Sequence, residues 1–528
     1  MLLDIILILI YLSAIMFMAL RSGREKDASV EGFFLSSRQL RWPSIAISTI
    51  ATNIHGYQFL GMMGSAYLYG LAQANLEINA INGILLAAFL FVPMYLKDRV
   101  ITVTQFIKTR LGKGVALAYS LANIALFSTL GLGSALFLGA YTVEIAFAPQ
   151  LAVLGTLEAN NAFGELLLSL VGTPYARIGT LIIFFGLFSA TYTYFGGLAA
   201  VVRTDIIQFV VLVVGAVILL FVSVAELGGW DQLYKKTPEL MHLHLPADHP
   251  KLPWIAIGGM FLLNINYWCA NQAVLQRSLA ARSLKDAQIG LMVGGVMKYF
   301  MAVLIIVPGI ALAGIMGDAG LEDPDQTFPY LVTHYLPTGL RGLILCALFA
   351  SLMSTADSMY NSLATLWSID IYKPYIKPDA TDSEMVRAGR RTILVVLVTS
   401  ICMGWLLLHM KFENIGGAFT HTLNELRYYI NCGIVVIISS AAMLLAPKQK
   451  VAIAAFLLTI PLHLLLQWIF PEMNYIVRAM WVILAGFTVI AVWSKGFRKN
   501  SFVSESKQLT LVGWGLLASL GLLHFIFH

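Results

Sequence analysis

The feature of this chain that most restricts its fold is a series of fourteen runs of about twenty mainly apolar residues, each long enough to cross the roughly 30 Å hydrocarbon core of a bilayer as a helix. They cover 2–20, 42–69, 76–96, 116–146, 178–197, 200–226, 254–274, 287–316, 338–371, 392–410, 418–446, 451–470, 477–494 and 509–527. None has the period-2 alternation of a half-buried strand, so the expected fold class is an all-α polytopic membrane protein. A charged fraction of 12%, against roughly 25% in soluble domains, excludes a soluble enzyme. Cys269, Cys346, Cys402 and Cys432 all sit in apolar runs without CxxC spacing, which reads as packing rather than a disulfide framework or zinc site.

The placement of charge orients the runs. Asp4 precedes the first basic residue, Arg21, across the first run, which reads as a retained helix with its N-terminus outside rather than a cleavable signal. Loops 21–41, 97–115, 198–203, 275–286, 372–391, 447–450 and 495–508 then fall inside and hold 25 of the 34 Lys and Arg, as the positive-inside rule requires. Arg177, Lys235, Lys236, Lys251, Arg341, Lys411 and Arg478 fall outside, and Lys298 and Arg427 within the membrane. An even number of crossings puts the C-terminus outside too. The formal charge of +6 is thus a matter of orientation, with no nucleic-acid partner implied and the bilayer as the expected surroundings.

Two runs are polar in corresponding places: Ala51 to Gln58 (ATNIHGYQ) in the second and Asn264 to Trp268 (NINYW) in the seventh. An offset of five helices gives the two copies opposite orientation, the pattern of an inverted repeat with discontinuous helices. The expected organisation is 1–41 as a peripheral helix and cytoplasmic loop, 42–226 and 254–446 as two five-helix repeats, 227–253 as an external loop, and 447–528 as three further helices.

An ionisable side chain at mid-membrane costs about 2.5 kcal/mol or more, so each one is a functional candidate. Glu77, at the start of the third run, and Lys298, about twelve residues into the eighth, would neutralise each other; the competing readings are an interfacial carboxylate and a snorkelling lysine. In the ninth run Ser351, Ser354, Thr355 and Ser358 recur at i, i+3, i+4 and i+7, which sets four hydroxyls on one helical face. That face serves either small-residue packing or, with carbonyls freed by a break between Asn53 and Gly56, a hard cation such as Na+. Asp205 and Asp357 approach from the cytoplasmic side and with Ser358 form a candidate second cation position, a helix-start carboxylate being the alternative for Asp205. Glu425 and Arg427 read as a structural pair, His55 and His421 as polar packing. No GxxxxGK[ST], HExxH or GxSxG motif is present, so neither ATP-driven pumping nor hydrolysis is indicated.

The stretches ATNIHGYQFLGMMGSAYLYGLA, GGLAAVVRTDIIQ, NINYWCANQAVLQRSLAARSLKDAQIG and LMSTADSMYNSLATLWSIDIYK follow one another in an order that resembles the sodium:solute symporter family, and its sodium/sugar cotransporter branch, over roughly residues 40 to 446. The resemblance implies about fourteen helices with a 5+5 inverted-repeat (LeuT-like) core, both termini outside, and sodium-driven alternating access in a plasma membrane, the inner membrane in a bacterium.

By position in that family's motifs, sodium would be held by carbonyl oxygens of Ala51, Ile54 and Ser351 and the hydroxyls of Ser354 and Thr355. The sugar would be held by Gln58, Glu77, Asn264, Lys298 and Asn424, with Tyr267 as the inner gate and Trp268 beside it. Ala80 stands where a galactose-carrying member has a sugar-binding serine, and Asn424 where it has glutamine. Asp357 stands where that member has alanine and two-sodium members have a hydroxyl or carboxylate, which implies more than one sodium per sugar. The implied function is uptake of a neutral hexose such as galactose or glucose, coupled to inward movement of Na+, with no organic cofactor. Donors, acceptors and an aromatic face suit a neutral polyol. The same residues also fit a sodium symporter for another neutral polyol such as inositol or for an amino acid, and a sugar sensor that moves nothing.

Overall fold

The structure is a computed structural model that describes residues 2–22, 29–54, 56, 58–151, 161–413 and 419–528. His55 and the side chain of His421 lie outside the described residues. Among those residues the chain is built from helices, with three isolated bridges and no strand. Eleven of the described helical stretches are long and apolar enough to cross a membrane. The fourteen runs read from the sequence differ from them at three places, and each difference has a local cause.

The first is the run 42–69. α1 (Leu2–Ser22) precedes it. α2 (Trp42–Asn53) starts with Pro43 in its first turn, where a missing N–H is harmless, and stops where Ile54 becomes extended at φ −90° and ψ 107°. After the break a π turn, Gln58–Met62, leads into α3 (Met63–Tyr69). Gly56 sits where other helices come close: an added Cβ would lie 3.1 Å from Leu352 Cδ2 and 3.7 Å from the Gly139 backbone. The chain then continues through α4 (Asn75–Ile78), which carries Glu77, and α5 (Ala80–Leu86).

Beyond α6 (Leu132–Leu151), the two runs 178–197 and 200–226 join as α7 (Pro174–Leu227). Its 54 residues would reach about 80 Å if straight, well over two bilayer cores. Gly197, at φ 53° and ψ −152°, turns the backbone between the two arms, and its position against the Phe33 carbonyl leaves no room for a side chain.

The third is 254–274. α8 (Ala256–Ile265) loosens into a π turn at Asn266–Ala270, Asn271 is extended at φ −71° and ψ 114°, and α9 (Gln272–Leu279) begins with the Asn271 side chain accepting from the Ala273 N–H at 2.9 Å. The polar residues 264–268 thus announce the interruption, but the backbone opens three residues later. Carbonyls set free there are met by tyrosines: Tyr95 Oη donates to Cys269 O at 2.6 Å and Tyr119 Oη to Ala270 O at 2.8 Å. Interrupted helices need such donors inside an apolar medium.

α10 (Leu284–Met316) carries Lys298, and α11 (Leu340–Leu366) carries the hydroxyl row. Every residue of α11 from Ile344 to Leu366 is buried, which makes it the centre of the bundle. α12 (Asp382–Phe412), α13 (Phe419–Met443), α14 (Gln449–Ile469), α15 (Tyr475–Val492) and α16 (Lys507–Ile526) follow. Trp468 on α14 and Phe525 on α16 are each 81% exposed, a surface that suits lipid rather than water.

Candidate functional site

Among the described residues, the end of α2 touches two buried charged clusters. In the first, Lys298 reaches from α10 to the Glu77 carboxylate and to the side-chain oxygen of Asn53. Lys298 is 1% exposed and Glu77 4%, so the lysine is paired rather than snorkelling. One charge of each sign satisfies the demand that a buried ion be compensated. Gln58 Nε2 donates to the Asn53 carbonyl at 2.9 Å, which ties the residue after the break to the residue before it. Asn264 Nδ2 donates to the Asn79 carbonyl at 3.0 Å and so pins α8 two residues beyond Glu77. Trp268 is buried beside Gly83, and Tyr267, half-buried, meets it edge to face with ring centroids 5.3 Å apart. Asn424 accepts from Arg427 on its own helix at 3.5 Å.

In the second cluster Asp205, on α7, accepts from Ser48 of α2 and from Ser354 of α11, the latter at 2.5 Å, and forms a 3.2 Å ion pair with Arg277 of α9. Arg277 also donates to Ser48 at 2.9 Å, to Ser358 and to the Ala273 carbonyl. Asp357 accepts from Tyr192 at 2.8 Å and from Ser358 at 3.3 Å, and Ser358 shares a hydrogen bond with Thr52 at 3.0 Å. Asp205, Arg277, Asp357 and Ser358 are fully buried. Two carboxylates face one guanidinium, so the cluster carries one uncompensated negative charge if both are ionised.

The hydroxyl row divides between these surroundings. Ser351 Oγ donates to the Ile54 carbonyl at 2.9 Å, directly at the end of α2, and Thr355 Oγ1 donates to the Ser351 carbonyl at 2.9 Å. Ala51 is buried in the last turn of α2. Ser354 turns to Asp205 instead. A cavity of about 120 Å³ lies on the α9 side of Tyr267, lined by Thr52, Asn266, Tyr267, Asn271, Thr355 and Arg427 among others. It is smaller than the roughly 300 Å³ of an open ligand pocket.

Three readings from the sequence are corrected here. Arg277, counted among the charges of the loop 275–286, is buried: α9 resumes after the break and carries it back between α2, α7 and α11. Arg427 and Glu425 do not pair. Residues two apart on a helix do not face each other, so Arg427 goes to the Leu130 carbonyl at 3.1 Å and to Ser134, and Glu425 to Arg478 at 3.0 Å. Arg177, counted with an external loop, lies in the first turn of α7 and is buried against Glu144 at 2.6 Å, a carboxylate inside the fourth apolar run. Sequence reasoning also missed Ser48 and Tyr192, and it read Thr52 and Asn53 only as part of the polar stretch at the break, without their contacts to the two clusters. For Ser48 a signal was available in its i, i+4 spacing to Thr52 on one face of a polar helix.

A family model for the sodium:solute symporter family matches residues 33–157 and 161–422. The sodium/glucose cotransporter of Vibrio parahaemolyticus is 30% identical over 569 aligned residues, covering 99% of this chain and 98% of that protein. The sodium/myo-inositol cotransporter 2 of Oryctolagus cuniculus is 28% identical over 75% of this chain, which spans 60% of that longer relative. Among solved structures, that of a Na+-coupled sialic acid symporter in its substrate-bound outward-open state covers 95% of this chain and 99% of its own, with a TM-score of 0.76 at 18% identity, a likeness of fold.

Proposed function

The chain belongs to the sodium:solute symporter family, a family of transporters and not of enzymes, and on that premise we propose that it couples inward movement of Na+ to uptake of a neutral hexose by alternating access. The observation that carries this reading is the contact pattern of three consecutive residues. Thr52 meets Ser358 in the Asp205 cluster, Asn53 meets Lys298 in the Glu77 cluster, and the Ile54 carbonyl meets Ser351 of the hydroxyl row. A cation that draws on the hydroxyls and freed carbonyls, and a sugar that inserts between Glu77, Lys298 and Gln58, would act on the same broken end of α2. Differential binding of two ligands to the states of one element is what coupling requires.

In this reading the first sodium is held by the Ala51, Ile54 and Ser351 carbonyls with Ser354 and Thr355. The sugar is held by Gln58, Glu77, Asn264, Lys298 and Asn424, under Tyr267 and Trp268. The second sodium is held by Asp357 and Ser358 with Asp205 beside them, Asp357 being the carboxylate of that group with no hydrogen bond to Arg277 among the described contacts, and two sodium ions move per sugar. The chain crosses the plasma membrane, or a bacterial inner membrane, fourteen times with both termini outside. Residues 42–226 and 254–446 form the two inverted repeats.

Purified protein in proteoliposomes tests this. Labelled galactose or glucose should exchange in counterflow with sodium present and not with choline in its place. Equal rates in the two salts would refute sodium coupling, and saturable binding without counterflow would leave a sensor. Counterflow of labelled myo-inositol, with neither hexose competing, would favour the polyol reading, which the inositol-carrying relative supports.

A further inference from the structure

A groove of about 550 Å³ runs along the outside of the bundle between α12, the π stretch Trp367–Ile376 that continues α11, and the helix Lys113–Leu126. Its lining on α12 extends from Glu384 to Thr399, about 22 Å at 1.5 Å per residue, which exceeds half the thickness of a hydrocarbon core. One end is cationic. Arg387 and Arg391, spaced i, i+4 and so on one face, are exposed and make no hydrogen bond or ion pair with other described residues. Arg390 between them turns inward over the Phe33 and Tyr194 rings, each at 5.5 Å. The carboxylate at this end, Glu384, is taken by Lys377 at 2.5 Å and by the Thr381 N–H at 3.0 Å. Trp367 and Tyr372 flank the arginines, as aromatic side chains do at headgroup level. Toward the other end the lining is Ile124, Val395 and Val396 with the hydroxyls of Ser128, Thr392 and Thr399, and Val395 is 61% exposed.

We propose that this groove binds an anionic glycerophospholipid, its phosphodiester between Arg387 and Arg391 and one acyl chain laid along Val395 toward Thr399. Guanidinium forks suit a phosphate oxygen pair, and they hold it without desolvating a charge fully. A soluble anion would use the arginines and leave Ile124, Val395 and Val396 uncovered, whereas a lipid uses both. Basic pockets between helices at the cytoplasmic end of a bundle are a recognised lipid-headgroup chemistry. The assignment needs the chain to be embedded in a bilayer and is independent of the transported solute.

The test uses the full chain, delipidated in mild detergent, with native mass spectrometry after incubation with dioleoylphosphatidylglycerol or dioleoylphosphatidylcholine. One phosphatidylglycerol per chain should be retained in preference to phosphatidylcholine. Arg387→Gln with Arg391→Gln should lower that retention about thirtyfold, the combined weight of two interfacial arginines, and leave phosphatidylcholine unchanged. Val395→Trp, at an exposed position, keeps both charges, blocks the acyl path and should also release the lipid. Equal retention of the two lipids by the parent would overturn the proposal, as would unchanged retention in either variant. Displacement of the lipid by millimolar inorganic phosphate alone would make this a soluble-anion site and overturn it equally. If the double variant does not fold, Val395→Trp decides.

Discussion

The Glu77–Lys298 and Asp205–Arg277–Asp357 clusters are both buried, both built across helices distant in sequence, and both touched by the end of α2, yet they differ in charge balance. The first holds one acid and one base. The second holds two acids and one base, with hydroxyls of Ser48, Ser354, Ser358 and Tyr192 around them. A balanced pair opened by a neutral polyol loses no net charge compensation, because hydroxyl groups donate to the carboxylate and accept from the ammonium. With both acids ionised the second cluster has one negative charge left over, which a bound cation or a proton would balance. The difference is consistent with the proposed division of labour, solute at the first and ion at the second.

The largest effect expected from this contrast is at Arg277. Arg277→Met would leave Asp205 and Asp357 buried with no resident cation, and breaking a buried pair costs about 3–5 kcal/mol. Little folded protein should reach the membrane, and adding Asp205→Asn should restore a monodisperse protein by removing one of the two acids. Parent-like melting of the single variant in detergent would show that the cluster is not held by this ion pair.

The balanced cluster should respond differently. Lys298→Met alone leaves Glu77 uncompensated and should destabilise by a similar order, about 3 kcal/mol. Combined with Glu77→Gln, it should regain parent-like stability while saturable sugar binding stays lost. If the double variant is stable and binds galactose or glucose as the parent does, the pair is structural and the solute lies elsewhere.

These contrasts mark where the sequence was legible. Glu77 and Lys298 stood out because each interrupts an apolar run, and the break near Ile54 because ATNIHGYQ is polar where a membrane helix should be apolar. Arg277 did not stand out. A basic residue just after an apolar run looks like any cytoplasmic-loop charge, and its partner Asp205 is 72 residues away. Glu425 and Arg427 erred in the opposite direction, since nearness along the chain was taken for nearness on a helix. Spacing reports which side chains share a face. It does not report what a broken helix brings to that face from another part of the chain.

A smaller effect sharpens the unbalanced side. Asp357→Asn removes the extra acid and keeps the Tyr192 and Ser358 contacts in reach of an amide, so the protein should fold and transport. The charge moved per sugar, from reversal potentials at fixed pH, should fall from about two to about one, because a neutral amide holds a cation only weakly. A ratio of one in the parent would remove the second sodium.

The smallest effect lies where water returns and an acid–base pair is only half enclosed. Asp325, in the loop between α10 and α11, is 19% exposed, with Lys411 Nζ 4.0 Å away at the end of α12. Burial, with the neighbouring Asp323 carboxylate adding to it and Lys411 opposing, pushes Asp325 up to about 6. The loop is seated on α3, where Leu321 N–H donates to Tyr67 Oη at 2.9 Å and the Pro324 carbonyl lies against Gly64. In the unfolded or lifted loop the carboxyl titrates near 3.8, so the seated form holds its proton more tightly. Seating therefore strengthens as pH falls through 6, is at its strongest below 3.8, and weakens again as pH rises through 6. Hydrogen exchange at residues 317–326, corrected for the intrinsic rate, should show more protection at pH 5 than at pH 7.5. Asp325→Asn, neutral throughout, should give the acid-like protection at both. Uptake at pH 7.5 should change by less than about twofold, the scale of a partly exposed pair. If the variant keeps the parent's pH dependence, another group governs the loop; if uptake collapses, Asp325 belongs with the buried clusters and the contrast between enclosed and half-enclosed pairs fails.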